Sequence, residues 1–207
     1  MYIPKLFKMD DHAEIFDFIR QNSFGILINA DNNIPVATHI PIELEFTDEN
    51  EPILRGHVSK VNPHALLFEK NTQALVIFTG AHTYVSSSWY VQENVSTWNY
   101  TAVHVYGQIR VLSEDELLES VEKLTKKYES GVEKPLYVSD MSPEMVRKQI
   151  KGITGFELKI EDIQAKAKLS QNRTDVDYKN VVEKLEETPD FQAKEVARLM
   201  RQVRKFE

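Results

Sequence analysis

Phe24-Gly25-Ile26-Leu27-Ile28-Asn29-Ala30-Asp31-Asn32-Asn33-Ile34-Pro35 is the stretch on which the fold turns. An apolar run over 24–29 breaks into three short polar side chains, Asp31, Asn32 and Asn33. These tolerate left-handed backbone and so predict a hairpin turn. Extended runs follow over 35–46 and 52–58, parted by the acidic turn Thr47-Asp48-Glu49-Asn50. In the first of them Ile40, Ile42, Leu44 and Phe46 recur at the period of two expected of a half-buried strand. Turns this short cannot hold the crossover helix that parallel neighbours need, which argues against a doubly wound parallel fold.

Outward from this centre, Asp10 or Asp11 caps an opening helix whose apolar stripe is Ile15, Phe18 and Ile19. Downstream, Asn62 and Pro63 mark a helix start, cap and first turn, for a short helix over 65–70. The apolar run 74–80 predicts a central strand. A long strand over 100–112 carries Gly107 as a bulge or close-approach point. Between them 81–99 is rich in Ser, Trp and Tyr and has no clear period. Ser113-Glu114-Asp115-Glu116 opens a helix to about residue 130 with its acids at the positive end. Ser142-Pro143-Glu144 opens another, 152–160 predicts a last strand, and from Asp162 the chain reads as helical. The expected class is α+β, an antiparallel barrel or sheet with peripheral helices.

The 207 residues, 42% hydrophobic and 10% aromatic, are ample for a packed core. With no cysteine, disulfides, thiolate zinc sites, iron–sulfur clusters and cysteine nucleophiles are excluded, and a reducing cytoplasm fits. A net charge of −7 argues against a globally basic nucleic-acid binder. No run of membrane-spanning length or signal-peptide core is present, so a soluble cytoplasmic protein without a membrane partner is expected.

The six histidines, His12, His39, His57, His64, His82 and His104, show no zinc-protease spacing, and no metal site is predicted. Gly56-His57-Val58-Ser59-Lys60-Val61-Asn62-Pro63 is a strand running into a helix start. It gathers a glycine, a hydroxyl, an amine and free N–H groups in the manner of a phosphate site. Tyr84, Trp89, Tyr90, Trp98 and Tyr100 crowd one segment, either as cover for an edge or interface or as a stacking wall for a planar ligand.

Six separated blocks resemble one family. They are Met1-Tyr2-Ile3-Pro4, Thr38-His39-Ile40-Pro41, Arg55 through His64, Thr83 through Tyr90, Val95 through Tyr100 and Lys168-Leu169-Ser170-Gln171-Asn172-Arg173. Their order and content are similar to those of the PaiB family, negative regulators of extracellular protease production and sporulation. Ser87 and Ser96 stand where proline is expected, which alters loop stiffness. The resemblance implies an FMN-binding split barrel of the pyridoxamine-phosphate-oxidase kind over 1–165, with a helical extension over 166–207. It also implies a homodimer with flavin at its interface.

On this chain the resemblance places backbone groups of Thr38 and His39 on the polar edge of the flavin. Gly56 and His57 lie near the ring, and Ser59, Lys60 and the Asn62 helix start take the phosphate. Trp89, Tyr90 or Trp98 cover the ring, and Asn172 and Arg173 make second contacts. No catalytic residue is assigned. The expected function is PaiB-like negative transcriptional regulation. The alternative is a flavin-dependent reductase using FMN and a nicotinamide donor, and a third reading is haem handling. The candidate surface for a DNA contact is the last helix, 191–206. There Lys194, Arg198, Arg201 and Lys205 share one face, opposite Val196, Leu199, Met200 and Val203. The acidic segment 175–190 is the competing partner for those bases.

Overall fold

Asn32 and Asn33 both adopt left-handed backbone, with φ of 48° and 65°. They join β1 (Phe24–Asp31) to β2 (Ile34–Phe46) in a two-residue hairpin that sets Asp31 opposite Ile34. Left-handed geometry at both central positions is what a tight hairpin with twisted strands requires, and Asn supplies it. Asn50, with φ 63°, serves the next turn, into β3 (Pro52–Ser59), which pairs antiparallel with β2. The computed structural model describes residues 1–70 and 72–205.

The remaining strands are β4 (Gln73–Val85), β5 (Thr97–Val111) and β6 (Ile153–Lys168). The six follow one another as β1-β2-β3-β6-β5-β4 and close into a barrel, with antiparallel ladders between β1 and β2, β1 and β4, β2 and β3, and β3 and β6. The chain divides into two compact units, and the first comprises Ile19–Phe78 and His104–Ile163. Its interior is filled by Leu27, Ile42, Leu54, Phe78, Phe156 and Leu158, all fully buried. Each such side chain contributes about 1.5–3 kcal/mol of burial. At Gly107 a Cβ would stand 2.0 Å from the Lys159 carbonyl oxygen, so the close approach read from the sequence is real. After β3 a 3₁₀ turn (Pro63–Leu66) and α2 (Leu67–Lys70) fold against the barrel, Phe68 meeting Phe156 with ring centroids 5.2 Å apart. Helices α3 (Glu114–Glu129), opened by a Ser113–Glu116 capping box, and α4 (Pro143–Ile150) share a small core of Leu112, Leu117 and Ile150.

The second unit comprises Met1–Phe18, Thr79–Val103 and the chain from Gln164. The helix α1 (His12–Gln21) begins here, and Asp11 Oδ1 accepts from the Ala13 N–H at 2.8 Å as its cap. Helices α5 (Asp175–Glu187) and α6 (Phe191–Val203) pair through Tyr178, Val181, Leu185, Val196 and Met200. The Tyr178 hydroxyl closes that core by donating to the Met200 carbonyl at 2.7 Å.

Three boundaries differ from the sequence reading. β6 runs to Lys168, so helix begins at Asp175 and not at Asp162. Alanine and lysine favour helix intrinsically, yet Ala165, Lys166 and Ala167 are held extended by their neighbours, a tertiary override of propensity. The 81–99 segment is extended at both ends, because β4 continues to Val85 and β5 starts at Thr97. In α6 the buried stripe ends at Met200, and Val203, in the last turn, is 52% exposed. Phe206, expected in that helix, lies outside the described residues. Among the described residues no helix is long and apolar enough to cross a membrane.

Candidate functional site

The barrel opens where β2 and β3 part. Their ladder stops at Ile42 opposite Gly56, although β2 reaches back to Ile34 and β3 goes on to Ser59. On its other edge β3 pairs with β6 over 53–59, and β2 pairs with β1 over 34–41. Among the described residues no strand takes the other edge of β2 at Thr38 to Pro41. The 3₁₀ turn after β3 packs on both parting strands.

Side chains at this opening form a closed polar circuit. Thr38, half-buried, bonds His64 Nδ1 at 2.9 Å, and His64 Nε2 bonds Asn29 Oδ1 at 2.7 Å. Asn29 Nδ2 donates to the Gln73 carbonyl at 2.9 Å, which leaves its oxygen as acceptor for His64. His64 therefore carries its proton on Nε2, and Nδ1 accepts from the Thr38 hydroxyl. Asn62 caps the turn by accepting from the His64 N–H at 2.9 Å, and its amide donates to Thr38 Oγ1 at 3.4 Å. Burial lowers the pKa of His64 below its usual value, so the ring stays neutral at pH 7.

His64, absent from the site expected from the sequence, is thus the hub between two residues that belong to it, Thr38 and Asn62. Its place one residue after the Asn62-Pro63 cap was the available signal. Asn62 is a helix cap, as read, with its side chain committed within the circuit. Gly56 faces the barrel interior, where a Cβ would come within 2.9 Å of the Phe156 ring and 3.1 Å of the Pro41 carbonyl oxygen. Its missing side chain makes room for packing. His57 points outward, half-buried, with its pKa lowered by burial. His39 is exposed on the same outer side, its ring centroid 6.4 Å from that of Phe24. Ser59 and Lys60 are exposed, and Lys60 lines an open cavity of about 320 Å³ shared with Glu69, Glu114, Lys151 and Thr154.

The remaining expected site residues lie in the second unit. Tyr90 is buried in the α5–α6 core and Trp89 packs against it. The Trp89 carbonyl accepts from Asn180 and the Val91 N–H donates to Asp177, which ties the segment to α5. Arg173 lies over the Tyr90 ring, its guanidinium carbon 4.5 Å from the centroid. Asn172 is exposed. Trp98 is 54% exposed and forms a surface cluster with His82 and Tyr84, at centroid distances of 6.4 and 6.1 Å. The aromatic segment therefore divides between core packing and an exposed cluster.

On α6, Arg198 pairs with Glu195 and Arg201 with Glu186, both bidentate, so acids cover half of the expected basic face. Lys194 and Lys205 are exposed.

Residues 1–162 match the family described as "Putative FMN-binding domain". Protease synthase and sporulation protein PAI 2 of Bacillus subtilis is 44% identical over 200 residues, covering 97% of this chain and 96% of that protein. Among solved structures, the FAD and heme binding protein of Mycobacterium smegmatis superposes with a TM-score of 0.61 at 18% identity, over 78% of this chain and 73% of that one. The flavocytochrome Anf3 of Azotobacter vinelandii gives 0.59 at 14% identity, over 86% and 78%. At those identities the structures speak to the fold alone, a split barrel.

Proposed function

The chain belongs to the FMN-binding domain family that its residues 1–162 match, and from that premise we propose that it binds FMN and acts as a negative regulator of extracellular protease production and sporulation. The observation that carries the regulatory reading is the 44% identity to PAI 2 along 97% of the chain. The fold gives cofactor binding a physical footing at the opening between β2 and β3. The edge of β2 at Thr38 and His39 offers backbone donors and acceptors without a neighbouring strand, suited to the polar edge of an isoalloxazine. Outward-facing His57 is neutral and suited to a flat ring. Ser59 and Lys60 are exposed and suited to the phosphate, with a charge-assisted bond from Lys60. Asn62 and His64 hold this junction in place through the circuit with Thr38. When bound, FMN supplies a redox-active ring that reads out the reduction state of its surroundings.

A homodimer in the cytoplasm completes the proposal. The outer face of β1 and β2 leaves Phe24 66% exposed, beside exposed Ala37, His39 and Pro41. Apolar exposure of that kind on a sheet face favours a second copy. Sedimentation at micromolar concentration should return twice the chain mass. DNA contact by α6 would have to break the Arg198 and Arg201 pairs. It predicts affinity that falls steeply with salt, and salt-insensitive or absent binding removes it.

The deciding experiment is complementation. Expressed in Bacillus subtilis lacking PAI 2, the chain should restore low extracellular protease; unchanged protease levels would overturn the regulatory reading. The reductase alternative predicts instead that NADH or NADPH bleaches the flavin of the purified protein with turnover.

A further inference from the structure

We propose that the end of β6 and the turn after it form a binding site for a phosphate monoester, held by Lys166, Lys168 and Arg173. Lys166 and Lys168 stand two apart on a strand and so project from one face of it. Lys166 is only 7% exposed. Its ammonium, with three protons to donate, meets the Tyr2 carbonyl at 3.2 Å and the rings of Tyr100 and Tyr2, with centroids at 5.0 and 5.9 Å. Lys168 is half-buried and donates to Thr97 Oγ1. The Nε–H of Arg173 is buried and has no acceptor, and Tyr90, whose ring lies beneath that guanidinium, has a hydroxyl likewise buried and unpartnered.

Among the described residues no carboxylate pairs with Lys166, Lys168 or Arg173, and four of this unit pair with other cations. Asp175 pairs with Arg204, Glu186 with Arg201, Glu187 with Lys184 and Glu195 with Arg198. Buried like charges without a counter-ion are costly, and a buried donor without an acceptor adds to that cost. Lys168 registers the first effect: burial lowers its pKa most, and the charges of Lys166 and Arg173 lower it further. An anion of two charges offsets more of this cluster than a carboxylate does. The ring of Tyr2, 84% exposed, offers an apolar face to the organic part of an ester. The site shares no residue with the Ser59–Lys60 junction and does not rest on the FMN reading.

The test is calorimetric titration of the full chain with inorganic phosphate, at constant ionic strength set with chloride. Saturable binding is expected in the wild type. It should weaken by about tenfold or more in Lys168→Gln and in Arg173→Gln, the loss of one charge-assisted bond. Lys168→Arg, which keeps the charge, and Lys179→Gln, an exposed position on α5, should retain it. Far-UV dichroism verifies the fold of each variant. Absent saturable binding, or equal binding in Lys168→Gln and Arg173→Gln, overturns the proposal. Repeating the titration with FMN and with riboflavin present separates the two sources of phosphate. Binding that persists beside FMN identifies a separate ester. Displacement by FMN but not by riboflavin keeps the site, gives it the flavin's own phosphate, and removes that role from Lys60.

Discussion

Two polar regions of this protein are built on opposite plans. At the barrel opening, Thr38, His64, Asn29 and Asn62 bond one another in a neutral circuit around a ring that is fully buried. At the end of β6, Lys166, Lys168 and Arg173 bring buried or half-buried charge together, with no carboxylate among the described residues to match it. The first region is complete within the chain, as a structural cap should be. The second is incomplete without something from outside. A satisfied buried network stabilises, whereas an unmatched one costs stability and is retained where it serves binding.

The largest effect should come from breaking the satisfied circuit. His64→Ala removes a buried ring and leaves Thr38 and Asn29 short of a partner, a loss of about 3–4 kcal/mol in urea unfolding. A loss under about 1 kcal/mol would show that the circuit is not a structural unit. Next, acid should weaken the barrel through the same histidine. Burial depresses the folded-state pKa of His64, and of His57 and His104 in the same unit. Below the unfolded value of about 6.5 the unfolded chain takes up protons first, so stability falls as pH drops through that value towards the lower folded pKa. The urea midpoint should therefore decline below pH 6.5 and hold steady just above it; a profile flat to pH 5 contradicts this.

In the unmatched region the sign should reverse. Lys168→Gln, in phosphate-free buffer of low ionic strength, should cost nothing or add up to about 1 kcal/mol, because it removes a repelled charge. A clear destabilisation would make the cluster a structural one. Smallest of all, Arg201→Ala should change stability by less than about 1 kcal/mol, since that ion pair with Glu186 is 45% and 41% exposed.

The difference between the regions also explains what the sequence disclosed. Asn32-Asn33, Asn62-Pro63 and Ser113-Glu116 name their turns and caps because the deciding interactions are local, within a few residues. The split-barrel fold was legible from the antiparallel runs and from the six family blocks. His64 was hidden, because its partners Asn29 and Thr38 are brought to it by strand register. Tyr90 read as a stacking candidate and is core, because α5 and α6 cover it from far along the chain. Lys166 and Lys168 gave only a spacing of two, masked by alanines that suit a helix equally well.

The central claim, that the native protein holds FMN, is tested most directly by titrating the dialysed chain with FMN while following flavin fluorescence and melting temperature together. Quenched fluorescence and a melting temperature that climbs with FMN concentration are predicted, since a ligand at a hundred times its Kd adds about 2.7 kcal/mol. Unquenched flavin with an unmoved melting temperature would contradict it and leave the split barrel as a scaffold without its cofactor.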